Sequence, residues 1–203
     1  RHVSKSDMPF RPGVKVYVGT DNGFNNAWVF CQPDGLGKLK ALYVINNVLD
    51  DAKTIEAALD NDVLPFMEEH LEGYVVKFIL DQAMGNRDAA KGTTQLDPFI
   101  ERNLDFELSA SKRTKPVRAL VRDYIVRGKV LVSKNCVPLI NSLDGGYHHR
   151  LVKATGLYES NPSKNEHSHV AEALSFVIEY VDGLFQKKQK HQKPKERKQY
   201  SDL

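Results

Sequence analysis

The order of apolar runs predicts an α/β domain, a sheet of mixed strand direction with helices packed on it. Two runs, VKVYVGTD and YVVKFILD, are almost wholly apolar before their final acid, as strands covered on both faces must be. Strand-like runs joined by turn-rich loops open the chain, whereas later strand-like runs alternate with segments whose apolar residues recur at helical spacing. The first pattern belongs to an antiparallel meander and the second to crossover connections.

Residues 1–13, RHVSKSDMPFRPG, are polar, hold two prolines and show no period, so they read as a linker from an upstream domain. The first strand lies in 14–20. NAWVFCQ and KLKALYVINNV follow DNGFN and PDGLGK, which supply the turns of a three-stranded meander. TIEAALDNDVLPFMEEHL sets Ile55, Leu59, Val63, Phe66 and Met67 at helical spacing despite Pro65, and YVVKFIL then returns as a buried strand. QAMGNRDAAKGTT is a polar loop. A short helix near Asp97–Arg102 and a short strand around Leu104–Leu108 come next. KPVRALVRDYIVRG is amphipathic, with Val117, Leu120, Val121, Tyr124 and Ile125 on one face. KVLVS reads as a strand, CVPLINSLDGG as a helix stopped by glycine, and YHHRLVKATGLYESNPSKN as a loop. The last helix is expected from about Glu166 to Leu184, which closes a domain over 14–185.

At 203 residues and 41% hydrophobic, the chain suffices for one ordinary core with at most a small appendage. No stretch approaches the ~18 apolar residues of a membrane span. Cys31 and Cys136 lack metal-ligand spacing and stand in apolar company, which predicts buried free thiols. Charge is uneven. From Gln186 to Leu203, seven Lys or Arg face only Glu196 and Asp202, a net of +5 that leaves −2 on the remainder of a chain of formal charge +3. The segment 186–203 therefore reads as a basic, disordered tail for phosphate or an acidic partner surface, or as a solubilising extension.

The chemistry concentrates on three acids. Asp21 and Asp81 end the two buried strands, and Glu172 lies within the helical SHVAEALSF. Two strand ends and a helix face can converge on one point, so the three carboxylates can surround a hard divalent cation. The competing reading of Asp21 is a turn former, since Asp-Asn-Gly is a strong turn sequence. His169 precedes Glu172 by three residues on the same helix face, where it can orient the carboxylate, approach a metal or shuttle a proton; a surface or capping histidine is the alternative. Glu166 rivals Glu172, and Asp88 is a spare acid near the second strand end. Lys164 and Asn165 are candidate phosphate contacts or, equally, helix-entry residues; Lys187, Lys188 and Lys190 of the tail are candidate phosphate contacts, while His148 and His149 read as loop residues.

Four segments in order carry a resemblance to a known family. They are the first-strand aspartate with Trp28 and Phe30 on the next strand; FILDQAMGNRD; VRDYIVRGKVLVSKNCVPLINSLDGGYHHR; and KNEHSHVAEALSF. Together they resemble the C-terminal nuclease domain of the large terminase subunit of tailed bacteriophages, over roughly residues 14–180. The resemblance implies a ribonuclease-H-like fold, with the mixed sheet flanked by helices. It also implies metal-dependent endonucleolytic cutting of concatemeric viral double-stranded DNA, with two Mg²⁺ or Mn²⁺ ions held by Asp21, Asp81 and Glu172. By the same resemblance the partners are DNA, a portal protein and a small terminase subunit, in the host bacterial cytoplasm. One departure stands out: where the family usually places Asp, this chain has Glu172, one methylene longer.

No G-x-x-x-x-G-K-[ST] occurs, and DGLGKLK is a glycine-containing turn, so no nucleotide is expected here and the ATPase of a packaging motor is expected upstream. Other readings stay open at this level. They are another ribonuclease-H-fold nuclease, such as a junction resolvase or an RNA-cutting enzyme, and a catalytically silent DNA-binding or portal-docking module.

Overall fold

The computed structural model describes residues 2–21, 26–47, 54–87, 92–110 and 115–192, the last eight of these by backbone alone. A six-stranded sheet forms its centre. β1 (Val16–Asp21), β2 (Ala27–Pro33) and β3 (Leu39–Asn46) are the expected antiparallel meander. β4 (Val76–Leu80) adds parallel to β1, β5 (Phe106–Leu108) parallel to β4, and β6 (Val130–Val132) parallel to β3. The spatial order is β5-β4-β1-β2-β3-β6, so the first strand ends in the middle of the sheet.

Strand alternation divides the core into two layers. Val16, Val18, Trp28, Phe30, Phe78 and Leu80 point to one face, covered by α1 (Ile55–Ala58), α2 (Leu64–His70) and α3 (Asp97–Glu101). Tyr17, Ala27, Val29, Cys31 and Ile79 point to the other, covered by α4 (Lys115–Val126), α5 (Val137–Asn141) and the long α6 (Glu166–Gln192). Both thiols are buried and free. Burial pushes the Cys136 thiol up to about 12 and the Cys31 thiol well above its ordinary value.

Several local readings differ from the structure for identifiable reasons. The helix expected over Thr54–Leu71 is interrupted by a π-helical stretch, Leu59–Val63, with Leu64 N–H bonded back to the Leu59 carbonyl. The next residue, Pro65, has no N–H with which to continue the ladder. Tyr147 to Asn165 is not all loop: β7 (His149–Val152) and β8 (Leu157–Pro162) form a separate antiparallel hairpin, turned at Gly156 with φ +66°. Its residues are mostly exposed, so it lacks the apolar alternation by which a half-buried strand is recognised.

The opening segment, linker-like in composition, docks on the domain. The Ser4 N–H donates to the Val132 carbonyl at 2.8 Å, the Val132 N–H donates to the His2 carbonyl at 2.8 Å, and Phe10 packs edge-on against Phe66 and Tyr74. α6 continues past Leu184 to Gln192, while the tail residues 193–203 lie outside the described residues.

Candidate active site

β1 and β4 are paired in parallel with Thr20 opposite Leu80, so Asp21 and Asp81 follow the last pair side by side. Neighbouring strands lie about 4.8 Å apart. Gly19 faces α6, and side chains return to the same face every second residue, which directs the Asp21 carboxylate toward that helix. Asp21 is fully buried. Asp81, half-buried, also accepts the Ala83 N–H at 3.0 Å and so caps the turn Gln82–Gly85.

α6 reaches the sheet at van der Waals limits because β1 carries glycine at the crossing. A methyl group on Gly19 would overlap the Ala173 carbonyl and stand 2.8 Å from Val177 Cγ2. This approach brings His169 Nδ1 to 2.6 Å from Asp21 Oδ2, with the ring nitrogen donating and the carboxylate accepting. The trio is therefore not arranged symmetrically. His169 bonds Asp21, Asp81 caps the turn after β4, and Glu172, one turn further along α6, is bonded by Tyr147 and Lys164 instead.

The start of α6 is fixed by a set of polar contacts. Asn165 Oδ1 accepts the His167 and Ser168 N–H groups at 3.0 and 3.1 Å, as an N-cap does. Its Nδ2 donates to the Gly146 carbonyl at 2.9 Å, and Ser142 Oγ donates to the His167 carbonyl at 2.7 Å. Gly146 is required sterically, since a Cβ there would lie 2.5 Å from His167 Cγ. Gly145 has φ +101°, which ends the π-helical stretch Ser142–Gly146 after α5. Thus Gly-Gly-Tyr is clamped to the helix start and delivers Tyr147, whose hydroxyl donates to Glu172 Oε1 at 3.2 Å. Lys164 Nζ donates to both Glu172 oxygens, at 2.7 and 2.6 Å.

Sequence reasoning assigned Tyr147 no role; its signal was its place in Gly-Gly-Tyr. Glu166 stands in the first turn of α6 with its side chain 62% exposed, near His167 rather than among the carboxylates. His148 and His149 bond backbone carbonyls, at Gly145 (2.9 Å) and Glu159 (2.7 Å); His148 lies in a loop as expected, whereas His149 opens strand β7. Asp88 lies outside the described residues. Lys187, Lys188 and Lys190 belong to the C-terminal turns of α6; at ~1.5 Å per residue they begin about 22 Å along the axis from Glu172.

A groove of about 970 Å³ runs between α4, the β7–β8 hairpin and α6, with Arg118, Arg122, Tyr147, Lys164 and Glu172 on its walls. Asp21 and Asp81 do not line it. Among the described residues, no three His, Cys, Asp or Glu side chains stand together as a preformed metal cage. The donor chemistry nevertheless suits a hard divalent cation. Two carboxylates end adjacent strands, a third stands one helical turn from His169, and cationic or N–H donors already occupy their oxygens.

No protein-family model matches the chain, and no curated protein sequence matches it. Solved structures do. The large terminase of a thermophilic bacteriophage, in complex with ADP, superposes over 91% of this chain and 42% of its own, with a TM-score of 0.66 at 17% identity. The P22 large terminase nuclease domain matches over 86% of both chains, with a TM-score of 0.62 at 13% identity. The large terminase nuclease of thermophilic phage G20c with bound magnesium matches over 84% of this chain and 83% of its own, with a TM-score of 0.59 at 11% identity. A cobalt-bound form of the G20c nuclease is similar too.

The fold is thus ribonuclease-H-like, a mixed sheet between helices. More narrowly, it is the fold of large-terminase nuclease domains, and this chain spans about two fifths of the length of the ADP-bound terminase.

Proposed function

We propose that the chain is the nuclease domain of a tailed-bacteriophage large terminase. In this reading it is a metal-dependent endonuclease that cuts concatemeric viral double-stranded DNA during genome packaging. The observation that carries the reading is that Asp21 and Asp81 follow the last residue pair of parallel neighbouring strands, with Asp21 bonded to His169 of α6. The shared fold supports it, and so do the bound divalent ions of the G20c nuclease.

Asp21, Asp81 and Glu172 would hold the ions. When bound, two divalent cations neutralise the phosphoryl oxygens, lower the pKa of the attacking water and stabilise the leaving 3′ oxygen. The chain's own contribution is placement. Asp21 is immobilised by the sheet and by His169, which is a positioning residue for that carboxylate. Tyr147 orients Glu172 from the Gly-Gly-Tyr segment. Hydrolysis joins the water oxygen to phosphorus as the bond from phosphorus to the 3′ oxygen breaks, and the leaving oxygen ends protonated.

Lys164, whose ammonium bonds Glu172 in the structure, would be a phosphate contact once DNA is bound. Lys187, Lys188 and Lys190, with the tail, would meet DNA some 20 Å away, at about 1.5 Å of helix rise per residue. A portal protein and a small terminase subunit would be its partners in the host bacterial cytoplasm, and nucleotide would be handled outside this domain. The test is nicking of supercoiled plasmid with Mg²⁺ or Mn²⁺ against chelator. Cutting that requires the ion and is lost in Asp21→Asn supports the proposal; ion-independent cutting, or equal cutting by the variant, overturns it.

A further inference from the structure

Glu172 already has a cation. Its carboxylate side chain is 7% exposed, and Lys164 Nζ lies 2.6 and 2.7 Å from its two oxygens, a chelating approach. The lysine side chain is 56% exposed, so it arrives from solvent, whereas the glutamate is held by the helix and by Tyr147. The backbone beside Lys164 is fixed, because Asn165 caps α6 and bonds Gly146. Rotation of the Lys164 side chain would withdraw its ammonium from the carboxylate without moving that backbone.

We infer that Lys164 is an exchangeable positioning residue: it holds Glu172 in the metal-free protein and yields it to a divalent cation. This rests on the proposed metal-dependent reading and adds an order of events to it. A buried carboxylate is costly without a positive partner, and Lys164 holds Glu172 oriented until the ion arrives. A divalent ion and the ammonium cannot both chelate the same two oxygens. Binding of the ion therefore frees Lys164, within the groove that Arg118 and Arg122 also line, to contact a DNA phosphate. Lysine suits such a role because it is a compact charge on a flexible stem.

The experiment compares Mn²⁺ binding by calorimetry in the wild type, Lys164→Gln and Lys164→Arg. Removing the competing charge is expected to tighten Mn²⁺ binding by about 5- to 150-fold in Lys164→Gln, the range of ordinary coupling between sites. Lys164→Arg, which keeps the charge, is expected to remain near the wild type. The metal-free Lys164→Gln protein melts lower than the wild type, and Mn²⁺ raises its melting temperature by more.

Amine-reactive labelling of the wild type, read by mass spectrometry, covers the case in which Lys164→Gln does not fold: labelling of Lys164 is expected to rise on addition of Mn²⁺. Unchanged or weaker Mn²⁺ binding in a folded Lys164→Gln protein, or labelling that Mn²⁺ leaves unaltered while it binds, overturns the exchange alone. Failure of the wild type and both variants to bind Mn²⁺ overturns the metal-dependent reading beneath it.

Discussion

The two faces of the sheet are packed by different means. On the α1–α3 face the core is aromatic: Trp28 and Phe78 each pack against Phe99, at centroid distances of 6.1 and 5.4 Å, and Phe66 stacks on Tyr43 at 4.1 Å. On the α6 face β1 offers Gly19, and the helix backbone itself rests on the strand. Rings bury large area and hold helices at a distance. A glycine contact buries little but sets position to within a fraction of an ångström. The candidate site lies on the glycine side, where Asp21 and His169 must meet across strand and helix, while the ring side has no such requirement and serves stability.

Substitutions that separate placement from stability test this contrast. The largest effect is expected from Asp21→Asn and Asp81→Asn. Loss of a proposed ligand is expected to remove several kcal/mol of transition-state stabilisation, or more than about 1000-fold in cleavage rate, with little change in melting temperature. Collapse of the melting transition in either variant would instead make that carboxylate structural and dissolve the contrast.

Phe99→Ala and Gly19→Ala form the direct pair. Truncating the fully buried Phe99 is expected to cost about 3–5 kcal/mol in denaturant unfolding, while cleavage by the protein that stays folded persists. The added methyl at Gly19 meets backbone, which cannot rotate aside, and is expected to cost about 1–3 kcal/mol. It also displaces His169 from Asp21, so cleavage falls further than the unfolded fraction explains. Equal loss of activity per kcal/mol in the two variants would show that the faces do not differ in kind.

A smaller effect separates the two glutamates of α6. Glu172→Gln is expected to slow cleavage strongly and Glu166→Gln by less than about twofold, since Glu166 is exposed and away from the carboxylates. The reverse order in the plasmid assay would move the site toward the β8–α6 loop.

The smallest effect is an expected silence. Cys136 is fully buried and its thiol is raised to about 12 by burial, so at pH 8 it stays protonated, and thiol reagents modify it only on unfolding. Modification of the native protein within minutes would mean that the layer beneath α5 opens locally.

Much of the fold was legible because its signals are local. Buried strands such as VYVGTD and VKFIL announce themselves by continuous apolarity, and α4 by its apolar stripe. The hairpin β7–β8 was not legible, because mostly exposed strands have no apolar partner face to pattern them. Nor was the docking of residues 2–11: backbone pairing with Val132 uses N–H and C=O groups that every sequence carries.

For the candidate site, sequence alone determined the chemistry on offer: acids at two strand ends, an acid and a histidine on one helix face, and glycines before Tyr147. Residue type and period are local properties, and they suffice to place a carboxylate on a strand end or a helix face. Only the tertiary structure decided the partners. His169 meets Asp21 across 148 positions of chain, and Tyr147 meets Glu172 across 25. Such meetings depend on the register of β1 against β4 and on how closely α6 approaches Gly19. Both are set by packing between segments distant in sequence, which no local pattern encodes.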